Sequence, residues 1–275
     1  MAIELPEALT LARQMDGELR GKRIERVHLG EVCASLIRQG FVNLHEVDVS
    51  HMAIESVTSK GKWIFVHLRP GMVLLFALET GGKILVHPGP ESLPKKFHVR
   101  LDFGGGSFLT EQIVGWGWAK AFPEGEPERQ RYPGRLGLSP INDEEFTMEA
   151  FSAILDRGSR KKIKPVLLEQ TQIAGIGNGY VQDILFKARL HPARKAGDID
   201  EGKRLNLYRS IVETLSEAVR LGGSQFEVDL YHHPGGYRRL LGDHVKGQPC
   251  PVCGTPIEKI TLQGAASYLC PACQT

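Results

Sequence analysis

Four of the five cysteines lie in the last 26 residues of this 275-residue chain, and their spacing is typical of a metal site. They form two C-x-x-C pairs that 16 residues separate: Cys250, Cys253, Cys270 and Cys273. Two residues between paired cysteines let both thiolates reach one ion from a tight turn, and four thiolates complete the tetrahedron that zinc prefers. The spacing therefore predicts one structural Zn2+ ion rather than disulfides or free thiols. It argues against a zinc hydrolase, because four protein ligands leave no open position.

A glycine-rich segment in the middle of the chain could bind phosphate. Residues 173–180 read Ile-Ala-Gly-Ile-Gly-Asn-Gly-Tyr and separate two stretches with helical periodicity. Glycines permit the close approach of backbone to an anion, and a helix that begins near Gly179 would direct its N–H groups at a phosphate. Asn178 could cap that helix and donate a side-chain hydrogen bond. A plain helical hairpin is the alternative interpretation. The candidate binding residues here are Lys164, Gly177, Asn178, Gly179 and Tyr180.

Basic residues flank this segment on both sides. They are Arg157, Arg160, Lys161, Lys162, Lys164, Lys187, Arg189, Arg194 and Lys195. Lysine and arginine around backbone amides fit binding to the phosphate backbone of a nucleic acid. The net charge of the whole chain is only +2, so local charge would have to recruit such a polyanion. A solvated basic face is the alternative.

The first part of the chain, residues 1–125, reads mainly as β-structure. One helix precedes the strands, from Pro6 to about Leu19, because apolar residues recur there at helical spacing. Short segments rich in β-branched and aromatic residues follow, with Gly and Pro between them. Regular short strands of this kind predict a β-sandwich.

The later parts change character. Pro, Gly and charged residues dominate the predicted linker at 126–143, and helical periodicity follows in a domain predicted for residues 144–246. Residues 247–275 form the cysteine module. The candidate helices span 146–155, 164–172, 179–188 and 199–221.

Composition places the chain among ordinary globular proteins. Hydrophobic residues make up 41% and charged residues 24% of the chain. No apolar run approaches the roughly 18 residues that a membrane span needs, and the N-terminus lacks the basic and apolar regions of a signal peptide. We therefore expect a monomer in the cytoplasm, associated with the nucleoid through DNA, with no membrane partner.

Together these motifs resemble the formamidopyrimidine-DNA glycosylase / endonuclease VIII family. The resemblance implies an α+β multidomain fold with an N-terminal β-sandwich and flanking helices, a helical helix–two-turn–helix domain and a C-terminal β-hairpin zinc finger. It also implies damaged double-stranded DNA bent between the domains, with the damaged base flipped into a pocket, as enzymes that act on a base require. The segments that carry the resemblance are residues 4–7, 59–63, 164–192 and 222–224 and the cysteine module.

The family resemblance implies covalent catalysis by an N-terminal proline. Its amine attacks C1′ of the damaged nucleoside, a Schiff base leads to strand cleavage, and the following glutamate handles protons. That glutamate corresponds to Glu4, but the proline position holds Ile3, whose nitrogen lies inside a peptide bond and is not nucleophilic. Loss of the initiator Met would leave a primary amine on Ala2, one residue and about 3.3–3.6 Å further out. Ordinary proline-dependent lyase activity is therefore not expected, and Ala2 could act only through a shifted loop.

Other positions also depart from the family pattern. The arginine of the zinc hairpin is replaced by Ala265. The segments that fill the space of the extruded base, residues 78–81 and 112–115, lack the family's Met and its Arg–Phe pair. The remaining catalytic candidates are Glu4, Glu7, Lys62 and Ala2.

Each retained candidate has a functional and a structural interpretation. Glu4 and Glu7 could serve as acids, or they could only stabilise the start of the first helix. Lys62 could contact a phosphate, supply a substitute amine, or carry simple surface charge. Two hypotheses follow: a DNA glycosylase with altered or lost AP-lyase chemistry, and a non-catalytic protein that binds lesions or distorted DNA.

Overall fold

The chain folds into two compact units in a computed structural model that describes residues 3–79, 81–129 and 133–275. Unit 1 comprises Met1–Arg135 and Leu221–Gly236. Unit 2 comprises Leu136–Arg220 and Tyr237–Thr275. In the described residues, no helix is long and apolar enough to cross a membrane.

Unit 1 is built on two four-stranded antiparallel sheets. In spatial order, one sheet contains β1 (Ile24–Leu29), β6 (Val99–Phe103), β7 (Phe108–Gln112) and β5 (Lys83–His87). The other contains β2 (Ala53–Lys60), β3 (Trp63–Arg69), β4 (Met72–Leu78) and β8 (Gly117–Pro123). Alternate residues of both sheets, among them Leu74 and Phe76 of β4 and Leu101 of β6, form one buried core. The predicted β-sandwich is therefore confirmed.

Two helices accompany the sheets, α1 (Leu5–Leu19) and α2 (Ala34–Arg38). Helix α1 packs against β2 and β3, because Leu11, Met15 and Leu19 recur on one face and are buried in the core. This helix matches the one predicted from Pro6 to about Leu19.

One acidic side chain lies inside the sandwich. Glu111 of β7 pairs with Val99 of β6 and shares the core face with Leu109. It has no exposed surface, and neither carboxylate oxygen has a hydrogen-bond partner among the described residues. Burial raises the pKa of Glu111 well above its usual range, which favours the neutral acid.

The segment 221–236 belongs to unit 1 because it bonds to α1. Gly223 has a φ of 96°, and a Cβ at this position would lie 3.0 Å from Cγ of Glu7. Glycine therefore permits the close approach in which the Ser224 N–H donates to Glu7 Oε1 at 2.7 Å.

A second contact fixes the same segment to α1. The Gln14 amide donates to Asp229 Oδ2 at 2.9 Å, and its Oε1 accepts from the Leu230 N–H at 3.0 Å. These long-range bonds explain why the structure separates residues 221–236 from the helical domain that the sequence predicts over 144–246.

Unit 2 contains four helices and a two-stranded hairpin in the described residues. The helices are α3 (Met148–Arg157), α4 (Ile163–Leu167), α5 (Tyr180–Lys187) and α6 (Glu201–Arg220). The Thr147 hydroxyl caps α3 by accepting from the Ala150 N–H at 3.2 Å. The hairpin consists of β9 (Glu258–Leu262) and β10 (Ala265–Leu269).

Candidate nucleic-acid interface and N-terminal site

The glycine-rich turn between α4 and α5 is fixed by one glutamine. The Gln170 amide donates to Leu168 O at 3.1 Å and to Ile176 O at 2.8 Å, and its Oε1 accepts from the Gly175 N–H at 2.8 Å. Gly175 has a φ of 94°, which glycine adopts without strain. Because these bonds satisfy the backbone in a turn, the helix predicted over 164–172 ends at Leu167.

The turn presents Asn178 to solvent at the start of α5. Gly179 is the N-cap residue of α5, and the Val181 N–H donates to Gly177 O at 3.2 Å. Gly177 is half-buried and Gly179 is buried, while Asn178 is exposed. Tyr180 is buried and packs against Tyr237 with ring centroids 5.4 Å apart, so its role in the turn is structural support.

The four cysteines of unit 2 converge on one point. Their Sγ atoms all lie within 4.8 Å of one another, with Cys250 3.9 Å from Cys273 and Cys253 3.4 Å from both Cys270 and Cys273. A tetrahedral zinc ion with Zn–S bonds of about 2.3 Å places its ligand sulfurs about 3.8 Å apart, so the donor set fits this metal.

The zinc module is joined to the turn by two buried polar side chains. The Lys164 ammonium group donates to Ala266 O and to Ser267 Oγ, each at 2.7 Å. The Gln182 amide donates to Ala266 O at 3.2 Å and to Asn178 O at 3.1 Å. The turn and the hairpin therefore form one hydrogen-bonded structure, which we call the turn–hairpin surface (residues 173–179 and 258–269).

Lys164 differs from its predicted role. The sequence places it among the phosphate contacts, but only 1% of its surface is exposed and its ammonium group bonds to β10. Burial lowers the pKa of Lys164 to about 8. We interpret Lys164 as a support of the hairpin, because a buried cation with two protein acceptors is not directed at solvent.

Asp183 is a structural residue of unit 2 that sequence reasoning missed. Its carboxylate accepts from the Tyr237 hydroxyl at 3.0 Å and from the N–H groups of Leu240 and Leu241 at 2.9 and 2.8 Å. Burial raises the pKa of Asp183, although these donors and the Arg239 charge oppose that effect. The carboxylate holds the segment that leads into the zinc module against α5.

Most of the other basic residues around the turn are open to solvent. Lys187 and Arg194 are half-buried. The exposed ones are Arg157, Arg160, Lys161, Lys162, Arg189 and Lys195. These side chains give unit 2 the local positive charge that phosphate binding needs.

In unit 1, Glu4 and Glu7 form a capping box at the start of α1. The Glu4 side chain accepts from the Glu7 backbone N–H, and Glu7 Oε2 accepts from the Glu4 N–H at 3.1 Å. Glu7 also accepts from Ser224, and both glutamates are 4% exposed. Both glutamates therefore stabilise the start of α1, as the structural interpretation predicts. A catalytic role would be in addition to this one.

Ile3 occupies the hydrophobic core, with 3% of its surface exposed. Its side chain is thus a core residue, and its nitrogen remains an amide. Ala2, the other amine candidate, lies outside the described residues.

Lys62 lies beside an acidic partner and an aromatic ring. Its ammonium group forms an ion pair with Glu79 Oε1, and it lies 5.6 Å from the ring centroid of Trp116. The side chains of Lys62 and Glu79 are 25% and 30% exposed. Glu79 belongs to residues 78–81, the segment that lacks the family's Met. The sequence does not predict its ion pair with Lys62, because the two residues are 17 positions apart in the chain.

Comparisons with known proteins show the family to which this chain belongs. The formamidopyrimidine-DNA glycosylase N-terminal domain matches residues 2–112, the formamidopyrimidine-DNA glycosylase H2TH domain matches residues 136–229, and the zinc finger found in FPG and IleRS matches residues 247–275. A formamidopyrimidine-DNA glycosylase from Halalkalibacterium halodurans is 35% identical over 276 residues, which cover 98% of this chain and 99% of that protein. The chain belongs to the formamidopyrimidine-DNA glycosylase family.

Solved structures of the family have the same fold. MutM (Fpg) from Thermus thermophilus has a TM-score of 0.85 at 28% identity, over 98% of both chains. Lactococcus lactis Fpg, in a complex with DNA that contains an abasic site, has a TM-score of 0.86 at 26% identity, over 99% of both chains. The predicted α+β architecture is confirmed. The sulfur geometry and the family zinc finger together confirm a site for one structural zinc ion.

Proposed function

We propose that this formamidopyrimidine-DNA glycosylase family member binds damaged double-stranded DNA and excises a base from it without a covalent amine at residue 3. One observation carries the binding part: the exposed Asn178 at the start of α5 is hydrogen-bonded, through Gln182, to the zinc hairpin. Relatives that align over 98% of the chain are named formamidopyrimidine-DNA glycosylases, and a structural neighbour holds DNA with an abasic site.

The proposed contacts to DNA are to its backbone. The Asn178 carboxamide offers hydrogen-bond donors to a phosphate, and the dipole of α5 favours an anion at this end of the helix. The exposed cations of unit 2 add charge that attracts the duplex. Lys62 is a further proposed phosphate contact in unit 1, once a phosphate competes with Glu79 for its ammonium group.

The proposed chemistry is hydrolysis of the N-glycosidic bond. Water attacks C1′, the bond between C1′ and the base nitrogen breaks, and the bonding pair leaves with the base. A carboxylate of Glu4 or Glu7 takes the proton that water loses, and the departing base takes up a proton. This scheme needs no amine, in agreement with the burial of Ile3 in the core.

A second candidate, binding without catalysis, is favoured by a different observation. Both glutamates hold the start of α1, and Lys62 is paired with Glu79. If these structural bonds persist in the complex, the protein recognises damaged or distorted DNA and leaves its bonds intact.

Three measurements on one set of duplexes separate these candidates. The wild-type protein and Lys62→Ala are tested for release of free base from damaged duplexes, for borohydride trapping on abasic-site DNA, and for binding at low ionic strength. Hydrolysis predicts base release without a trapped adduct. An adduct that Lys62→Ala abolishes would show Lys62 acting as the amine, and one that persists in Lys62→Ala would implicate the N-terminus. Binding without base release or adduct supports the second candidate, and absence of binding to any duplex refutes both.

A further inference from the structure

Gln182 of α5 lies between the glycine-rich turn and the zinc hairpin, and only 3% of its surface is exposed. Its Oε1 accepts from the Tyr268 N–H at 3.1 Å, while its Nε2 donates to Ala266 O at 3.2 Å and to Asn178 O at 3.1 Å. A backbone N–H can only donate and a backbone carbonyl can only accept. The three backbone partners therefore fix which end of the Gln182 carboxamide is oxygen and which is nitrogen.

This fixed polarity extends to Asn178. The Gln182 Nε2 atom also lies 3.3 Å from Asn178 Oδ1, so one of its two hydrogens is shared between the backbone and side-chain oxygens of Asn178. A donor at this position selects the oxygen of the Asn178 carboxamide. The nitrogen of that carboxamide, with its two hydrogens, is consequently on the side away from Gln182.

We propose that Gln182 is a positioning residue that sets the polarity of the Asn178 carboxamide, so that its NH2 group rather than its oxygen meets a DNA phosphate. A phosphate has only acceptor oxygens, and the reversed carboxamide would place a carbonyl oxygen against it. This inference rests on the proposed binding of DNA by the turn. In addition, the orientation of the Asn178 NH2 group depends on Gln182 and not on the backbone of the turn alone.

The zinc hairpin supplies part of the hydrogen-bond network that fixes Gln182. Two of the backbone groups that fix Gln182, on Ala266 and Tyr268, belong to β10. Lys164 donates to the same Ala266 oxygen, which therefore accepts from two side chains. A zinc ion bound by the four cysteines would hold the hairpin that orients Gln182, so metal binding would influence the phosphate contact through this side chain.

Two substitutions at residue 182 test the proposal by equilibrium binding to one abasic-site duplex. Gln182→Met removes the donor while keeping side-chain length, so the Asn178 carboxamide can rotate; we expect affinity to fall about 2- to 5-fold. Gln182→Glu replaces the donor by an acceptor that attracts the Asn178 NH2 group, and we expect a loss of about 10-fold or more. The order of affinities, wild type above Met above Glu, reports polarity rather than packing.

The decisive control repeats the Met substitution in Asn178→Ala. With no carboxamide to orient, Gln182→Met should then change affinity less than about 2-fold. The exposed Gln248→Glu in the same unit measures the effect of one added negative charge without a change at the turn. Zinc content and thermal unfolding are measured for every variant, and if Gln182→Glu fails to fold, the double-mutant cycle with Met decides alone.

The outcomes separate this inference from the proposed function. A wild-type protein that binds no duplex refutes the proposed function, and the inference with it. A wild-type protein that binds, with equal losses from Gln182→Met in the presence and absence of the Asn178 side chain, overturns only the role of Gln182. Coupling between the two positions, with the expected order of affinities, supports both.

Discussion

The turn–hairpin surface of unit 2 and the N-terminal end of unit 1 use their polar groups in opposite ways. In unit 2, buried Gln182 and Lys164 support a turn that leaves Asn178 exposed. In unit 1, Glu4 and Glu7 cap α1, and Lys62 pairs with Glu79. In the first region, the buried hydrogen bonds hold the turn so that the Asn178 side chain faces solvent. In the second region, the charged side chains bond to the start of α1 or to one another.

This difference shows that binding and chemistry place different demands on a sequence. Phosphate binding uses backbone amides and a metal-held hairpin, which many sequences can supply. Covalent catalysis depends on one nucleophilic nitrogen, and misplacement by about 1 Å already costs much of the rate. A family member can therefore keep the first region while the second acquires a structural role.

Zinc removal should cause the largest loss of duplex binding. It should disrupt the turn–hairpin surface of unit 2 and leave the fold of unit 1 intact. We expect chelation, or Cys270→Ser, to unfold the hairpin and abolish duplex binding, because structural zinc contributes about 10–16 kcal/mol to the folding of small finger modules. Binding titrations and zinc analysis measure the loss, while near-ultraviolet circular dichroism follows the tryptophans, all of which lie in unit 1. Unchanged DNA affinity in metal-free protein would contradict this picture.

Ile3→Ala tests the structural role of the residue at the proline position. Deleting a buried side chain leaves a cavity, so the free energy of unfolding should fall by about 2–4 kcal/mol in urea titrations. Ile3→Val is the graded control, with an expected loss of about 0.5–1.5 kcal/mol. A loss below the value for Val would show that residue 3 is not held in the core.

Glu111→Gln removes the ionisable group inside the sandwich. The folded pKa of Glu111 is raised, so the unfolded state loses its proton first as the pH rises, near its ordinary value of about 4.5. Above that pH the wild type should lose stability relative to the Gln variant by up to about 1.4 kcal/mol per pH unit, until the folded pKa is reached. Urea unfolding between pH 5 and pH 8 measures the difference, and parallel curves for the two proteins would disprove it.

Asn178→Ala should weaken duplex binding about 10-fold, which corresponds to about 1.4 kcal/mol. The slope of log K against log salt should stay nearly unchanged, because the neutral carboxamide of Asn178 displaces no counterion from the duplex. Gln248→Ala, an exposed change in the same unit, is the control for general surface effects. An unaltered affinity would remove the turn from the interface.

Glu79→Gln should give the smallest effect. It breaks the ion pair with Lys62, which is partly exposed, so the free energy of unfolding should change by less than about 1 kcal/mol. The released ammonium group should raise duplex affinity about 2- to 4-fold at low salt. In Lys62→Ala the same substitution should have a smaller effect, and equal gains in both backgrounds would assign the change to the loss of a negative charge alone.

Local spacing was sufficient to predict the zinc ligands, the glycine-rich turn, the sandwich and α1. Each depends on residues close together in the chain: two C-x-x-C pairs, three glycines around Asn178, and period-2 or helical patterns. The family resemblance also predicted the order of these elements along the chain.

The positions that sequence reasoning misjudged depend on distant contacts. Lys164 looks like a surface lysine, and only β10, about a hundred residues later, shows that it is buried. Gln182 and Glu79 carry no motif, because their partners are set by the packing of separate elements. The return of residues 221–236 to unit 1 likewise follows from single hydrogen bonds to α1, which no local pattern encodes.

That return has a consequence for synthesis on the ribosome. Residues 1–135 leave the exit tunnel long before Leu221–Gly236, which complete their unit. At a translation rate of about 5–20 residues per second, the delay is on the order of 5–20 seconds. During this interval the nascent chain lacks the bonds from Ser224 and Leu230 to α1. A product truncated before Leu221 would lack these bonds for its whole lifetime, because the donors lie in the missing segment.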